Sequence, residues 1–357
     1  ALGATATAEK AVGGWGRLTG VVEGRAEAYA PRNDLDPVVV TGYPATRRVA
    51  TAGLELAVRW PRLKLDVLPS ARVELSRDVR SGRDSNMVHR AADEAVDRAH
   101  PVFRLGLLRP LGAGAVARAN VGRYARIPSF VELYGYNRGV VGNAELRPER
   151  GWNADVGVVV TQGGRGGRDG DQPTLLTSAT LFGAEVEDLI GWRTYSYQTR
   201  AENVSRARIW GVELELRLRH RRLALTTQAT LTDARDRGDI AASRGQQIAH
   251  HPRYRGYGRA EWRQPIGPVA WVTYADVDGS AGNFSTASRY GALPARALVG
   301  AGVGVEHAGS GVRFVVSALN ITDTRTPDFP GYPLPGRSLY ASLGWSSAEA
   351  RSSNTQE

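Results

Sequence analysis

Residues 62 to 76, RLKLDVLPSARVELS, put Leu63, Leu65, Val67, Pro69, Ala71, Val73 and Leu75 on one face of an extended chain. Arg62, Lys64, Asp66, Ser70, Arg72, Glu74 and Ser76 share the other. The same division recurs at 47 to 60, where Ala50, Ala52, Leu54, Leu56, Val58 and Trp60 oppose Arg47, Thr51, Glu55 and Arg59. At 208 to 219, Trp210, Val212, Leu214, Leu216 and Leu218 oppose Glu213, Glu215, Arg217 and Arg219. Helical periodicity is hard to find, so the pattern predicts an all-β chain. About fourteen strands are expected, near 17–30, 46–60, 62–78, 101–109, 112–126, 151–161, 174–190, 205–219, 222–234, 252–264, 268–276, 296–307, 310–321 and 337–346.

The spacing of the breaks carries more information than the alternation, because a soluble antiparallel sandwich also alternates. Tight connections at Pro61, 110–112, 220–221, 264–267 and Gly309 take turns with long ones near 31–45, 79–100, 127–150, 191–204, 235–251, 277–295 and 322–336. Short turns on one rim and long loops on the other describe an antiparallel transmembrane β-barrel. The glycine-rich stretch 163–173 is a swollen member of the short series. In a bilayer such a sheet must close, since unpaired strand amides find no water there. An inner face carrying arginine and glutamate then requires a wet or protein-filled lumen.

Composition removes several alternatives. Cysteine is absent, which excludes disulfides and thiolate metal sites. No apolar run approaches the roughly 20 residues of a membrane helix. The net charge of +10 is almost wholly arginine, since Lys10 and Lys64 are the only lysines. Those arginines are spread along the strands without interleaved stacking aromatics, so no nucleic-acid partner is expected. The opening ALGATATAEKAVGGWG has neither a basic start nor a signal-type apolar stretch. Either a leader has been removed or the chain begins within a longer gene product.

Four stretches, in order, resemble the TonB-dependent outer-membrane receptors. Arg126, Pro128, Phe130, Glu132, Leu133 and Tyr134, followed by Gly142, Asn143, Leu146, Pro148 and Glu149, are similar to the family's "R-x-P-[ST]-F-x-E-L-Y" and "G-N-P-x-L-K-P-E", with Ala144 and Arg147 in place of the usual proline and lysine. Asp188, Asn203, Gly211 and Glu213 resemble a "D-L-I … N … G-x-E" hairpin. Pro252 resembles the proline that leads a later strand. Asn320 and Asp323 with Pro335, Gly336 and Arg337 resemble the closing "N-L-x-D … G-x-P-x-P-G-R" hairpin.

The resemblance covers about 17–346. It implies the C-terminal portion, about fourteen strands, of a 22-strand barrel filled by a plug domain. Residues 1–16 are then a partial strand or linker and 347–357 a tail. It further implies placement in the bacterial outer membrane and uptake of a small-molecule ligand such as a metal chelate (siderophore), cobalamin or sugar. The other partners would be outer-membrane lipid, the plug and remaining strands outside this stretch, and TonB of the inner-membrane energy complex. No cofactor and no enzyme activity are implied. With the last strand ending at the periplasmic rim, the long loops are extracellular. Tyr134, Tyr136, Trp192, Tyr195, Tyr197, Phe284, Tyr290, Phe329 and Tyr332 become ligand-contact candidates. Trp192 and Tyr332 serve equally well as interfacial girdle residues.

Most of the motif residues also have a plainer role, as punctuation of loops and strand entries, with Glu149 and Glu213 pairing to arginines in the lumen. Other chemistry lacks support. Adjacent His250 and His251 point opposite ways on an extended chain, so no metal site is expected. Glu185 and Glu187 share one wet face without a cleft, which suggests lumen ion pairing. Gly300, Gly302 and Gly304 lie within a strand and precede no helix, unlike a dinucleotide loop. Two further readings stay open: a passive outer-membrane channel closed by an even number of strands, and a soluble β-sandwich binding module.

Overall fold

In the computed structural model the chain is described at residues 1–31, 43–81, 93–136, 139–163, 173–195, 198–203, 206–239, 241, 243–285, 291–307, 309–329 and 332–346. One fifteen-stranded sheet dominates, and its order follows the chain without a crossover. The strands are Leu2–Val12, Gly16–Tyr29, Ala45–Trp60, Leu65–Arg80, Glu94–Gly112, Ala115–Arg126, Glu149–Gln162, Thr174–Glu187, Arg206–His220, Leu223–Asp236, Tyr254–Ile266, Val269–Ala281, Arg296–His307, Val312–Leu319 and Ser338–Trp345. Every adjacent pair is antiparallel. Leu2–Val12 adds one strand to the expected set, and Glu94–Gly112 begins seven residues before the alternation announces it.

The two faces separate as the alternation requires. Leu54, Val73, Phe103, Val156, Leu181, Leu214, Phe314 and Leu343 are large, apolar and exposed, all on one side. In water such a surface would be a severe aggregation hazard; in a bilayer it is the lipid-facing wall. Aromatic side chains bound it at both ends. Trp15, Trp60, Trp262, Trp271 and Trp345 stand toward the short-turn rim, and Trp152, Trp210 and Tyr254 toward the loop rim. Tyr254 and Trp262 lie eight residues apart on one strand, about 26 Å along it and about 20 Å across the bilayer at the usual strand tilt, so the two rings bracket most of the hydrocarbon band. The fold is an antiparallel transmembrane β-barrel.

The opposite face is ionic. Arg25 meets Glu27 at 2.6 Å, Arg217 meets Glu215 at 2.6 Å, and Arg313 meets Glu306 at 3.2 Å. Asn120 donates to Asp155 at 2.9 Å, and Arg118 to Thr180 at 3.0 Å. Three cross-strand pairs on this face lay an aromatic ring over a glycine in direct register: Tyr124 on Gly151, Phe182 on Gly211 and Tyr274 on Gly302. Tyr274 crosses the strand beneath it to Ser317, Oη to Oγ 2.7 Å, and Arg259 covers its ring at 3.7 Å. Gly300, Gly302 and Gly304 therefore serve close packing within a strand, as their lack of a following helix suggested.

Glu185 corrects the sequence reading. It is in register with Trp152 and Arg208 on the outer face, where it meets Arg208 at 3.5 Å. It does not face the lumen. At the loop end the outer wall rises out of hydrocarbon, so a wet side chain there no longer marks the inside.

Candidate functional site

The strand ends that flank the long connections lie at one rim, and the described motif residues within 126–149 and 188–203 tie that rim together. Pro128 and Ser129 end the strand before them, and Phe130–Tyr134 makes a single helical turn that the alternation did not announce. Ser129 and Glu132 form a reciprocal cap: the Ser129 amide donates to Glu132 Oε2 at 2.7 Å and the Glu132 amide to Ser129 Oγ at 3.3 Å. Glu132 also receives Arg126 Nη1 at 3.0 Å. The same guanidinium grips Glu149 in a fork, Nη2 to Oε1 2.7 Å and Nε to Oε2 2.8 Å. Glu149 Oε1 in turn accepts the Ile190 amide at 2.8 Å, which attaches the next loop.

Behind this network the chain doubles back. Gly135 has φ +77°, and a Cβ on it would stand 2.8 Å from the Gly142 amide nitrogen, so the two glycine backbones pass in contact. Asn143 follows, its amide donating to Glu132 O at 2.8 Å and its Nδ2 to Ala201 O at 3.0 Å. Leu146 and Pro148 are buried, and Leu146 joins Ala45, Leu133, Tyr134, Ile190 and Ala201 in a small apolar core. Arg147 meets Asp188 at 2.6 Å. Asn203 clamps the pair from above, accepting the Arg147 amide at 2.9 Å and donating to Arg147 O at 2.9 Å and Asp188 O at 2.7 Å.

Sequence reasoning missed what lies underneath. Arg47 stacks on Phe130 at 4.8 Å, donates to Pro128 O at 2.9 Å and pairs with Asp78, which also receives Arg98 at 3.0 Å. Tyr29 stacks on Phe130 with ring centroids 5.5 Å apart and donates to Gly135 O at 2.5 Å. Arg47 was legible as a polar-face residue, but its partner stands 31 residues away and no local signal points to it.

A second tie closes the rim between the last two strands. Asn320 is buried, and its Nδ2 donates to Thr324 O and Pro335 O, both at 3.0 Å. Asp323 accepts the Arg337 amide at 3.0 Å; that bond, with the nearby Arg325 guanidinium, holds its carboxyl below the usual range. Gly336 O accepts Ser338 Oγ at 3.0 Å. Pro252 leads directly into Tyr254–Ile266. Gly211 lies under Phe182, and Glu213, opposite Thr180 and Thr230, forms no ion pair among the described residues.

The aromatic ligand candidates divide. Tyr134 is 7% exposed and packs in the core at 6.1 Å from Phe130, so it is a packing residue here, not a ligand contact. Burial pushes its phenol above the usual tyrosine range, and the Asp78 charge adds to the effect. Tyr136 and Trp192 are exposed, Trp192 on the ribbon Ile190–Tyr195 with Gln198–Asn203. Phe284 is half-buried in a two-residue ribbon with Ala292. Tyr195, Phe329 and Tyr332 lie on short strands whose backbone is described. Tyr197 and Tyr290 lie outside the described residues. Among the described residues no group of His, Asp and Glu is arranged to hold a metal.

Comparison with known proteins agrees with this architecture. The family model "TonB dependent receptor-like, beta-barrel" matches residues 3–322. None of the curated proteins matches in sequence. Among solved structures, the copper transporter OprC is similar with TM-score 0.69 at 14% identity, over 93% of this chain and 56% of its own. The ferric citrate transporter FecA in its unliganded form gives 0.68 at 14%, over 96% and 53%. A double mutant of the Serratia marcescens hemophore receptor HasR, in complex with hemophore and heme, gives 0.65 at 14%, over 96% and 58%. At that identity the likeness is one of fold, and the chain spans little more than half the length of these structures. The family's members sit in the outer membrane of Gram-negative bacteria and are transporters rather than enzymes. With its model matched along nearly the whole sequence, the chain belongs to the family of TonB-dependent receptor β-barrels.

Proposed function

We propose that this chain forms the wall and the loop-borne recognition surface of an outer-membrane receptor for TonB-energised uptake of a ligand such as a metal chelate (siderophore), cobalamin or sugar. The observation that carries the reading is the joining of a polar lumen to a rim where separate loops are tied into one cross-linked platform. Such a platform holds exposed aromatic side chains, Tyr136 and Trp192 among them, in fixed relation above the lumen. Tyr195, Tyr197, Phe284, Tyr290 and Phe329 are proposed as further ligand contacts from the long connections. The ion-lined interior suits a plug domain, which would occupy it and pass the TonB signal. The arginine excess favours an anionic ligand.

The test is uptake by cells that carry or lack the gene, offered labelled ferric chelates, cobalamin and oligosaccharides, with and without TonB. Uptake of one of these that needs both the gene and TonB supports the reading. Gene-dependent uptake that persists without TonB, together with ligand-free conductance steps of defined size in a planar bilayer, would replace it with a passive channel.

A further inference from the structure

Arg48 and Arg77 stand directly opposite each other on adjacent antiparallel strands, on the lipid-facing side of the wall. Like charges in that relation repel. Asp97, opposite Arg77 in the next strand, reaches it only at 3.9 Å with both side chains well exposed. Arg48 forms no ion pair among the described residues. Two other outward arginines near the loop rim have an acidic partner closer at hand, Arg208 in Glu185 at 3.5 Å and Arg235 in Asp233 at 2.9 Å. The 48/77 rung is thus a place where the wall keeps an excess of positive charge.

Its height is informative. Arg48 lies twelve residues above Trp60 on the same strand, about 40 Å along it and about 30 Å across the bilayer at the usual strand tilt. With Trp60 at one interface, the two guanidiniums stand at the headgroup level of the other leaflet. From the arginines downward the wall carries shallow, open depressions. A depression of about 550 Å³ includes Ala50, Leu75 and Ala99, and a second of about 620 Å³ includes Ala52, Val73 and Phe103. Each succeeding rung carries apolar side chains outward: Ala50, Leu75 and Ala99, then Ala52, Val73 and Pro101, then Leu54, Ala71 and Phe103.

We propose that this strip binds one phosphate-bearing acyl lipid of the leaflet on the loop side, its phosphate between Arg48 and Arg77 and an acyl chain along the hollows beneath. An anion there removes the repulsion across the rung, and guanidinium forks are well suited to phosphate oxygens. The apolar rungs explain why a lipid fits better than a free ion: they continue the site into hydrocarbon in line with the charges.

The experiment uses the full chain purified in a neutral alkyl glycoside and titrated with lipid A, bound lipid being counted by native mass spectrometry. One lipid A is expected to stay bound, and the double variant R48Q/R77Q to weaken it at least tenfold while keeping its heat-modifiable migration. Arg313→Gln, which removes a lumen-facing charge, should leave binding unchanged; equal weakening there would mean simple attraction to net charge and would overturn the proposal. So would unchanged binding in the double variant, or equal retention of dephosphorylated lipid A. Inorganic phosphate that displaces the lipid at equal concentration would show a bare anion site and sink it as well. Should the double variant misfold, Ala50→Phe fills the upper hollow without touching a charge. Loss of binding in that variant supports the site, and full retention refutes it.

Discussion

Arg47 and Asp78 face each other in register across two neighbouring strands and bind through a fork, Nε to Oδ1 2.6 Å and Nη2 to Oδ2 2.8 Å, with both side chains almost wholly out of solvent. The pair supports the loop platform from below, since the same guanidinium holds Pro128 O and the face of Phe130. Removing one partner strands a buried charge. Asp78→Ala should cost about 3–5 kcal/mol, seen as a lower unfolding temperature in detergent. The double replacement Arg47→Met with Asp78→Leu should recover most of it. A double variant no better than the single would show that the pair is not the source of the loss.

The Tyr134 phenol is held protonated by burial. A group whose proton is bound more tightly in the folded state contributes its full stability below its ordinary value, about 10, and loses it as the pH rises further. The loop platform should therefore loosen above that pH, measured as protease cleavage within 127–148. Tyr134→Phe keeps the ring without the proton and should abolish this alkaline step. An unchanged step in the variant would assign it elsewhere.

Asn203 makes three hydrogen bonds across two loops, a dense use of one side chain. Asn203→Ala leaves two carbonyls and one amide to find new partners, worth about 1–3 kcal/mol. Hydrogen exchange should accelerate at Arg147 and at 188–190 while the strands stay protected. Uniform acceleration through the sheet would mean that the residue acts on the whole wall.

Much of the architecture is legible along the chain, and the exceptions have physical reasons. The 62–76 stretch announces itself because leucine and valine alternate with charge. Leu2–Val12 does not, because alanine and threonine alternate with little contrast in polarity, and Glu94–His100 likewise mixes both kinds on each face. The helical turn at Phe130–Tyr134 is too short to show a period. Of the platform, the motif residues were recognisable as a set; Tyr29, Arg47, Asp78 and Arg98 were not, since what joins them is pairing between strands far apart in sequence.

A ligand-contact role for Trp192 and Tyr136 predicts a specific split. Replacing either by alanine should weaken ligand binding about tenfold or more, as loss of an exposed aromatic anchor does, with the unfolding temperature unchanged. Tyr134→Ala should do the reverse and destabilise the platform first. Normal binding in both exposed variants would move the recognition surface to other loops.

Adding a side chain at Gly302 should be costly, since its Cβ would lie 2.5 Å from the Tyr274 ring. Gly302→Val is expected to lose about 1–3 kcal/mol by overpacking, and Tyr274→Ala in the same chain to relieve part of it. Strictly additive losses would show that the ring and the glycine do not share one space.

The three alternate glycines at 300, 302 and 304 have a consequence for how this part of the wall finds its alignment. If the two strands slid by one pleat, two residues, the Tyr274 ring would again land on a glycine, so the steric fit alone tolerates three settings. The hydroxyl reaching Ser317 does not, because its partner sits on the next strand over, and only one setting brings the two oxygens together. A single hydroxyl pair thus works as a tally mark that keeps three strands counted in step while the sheet assembles.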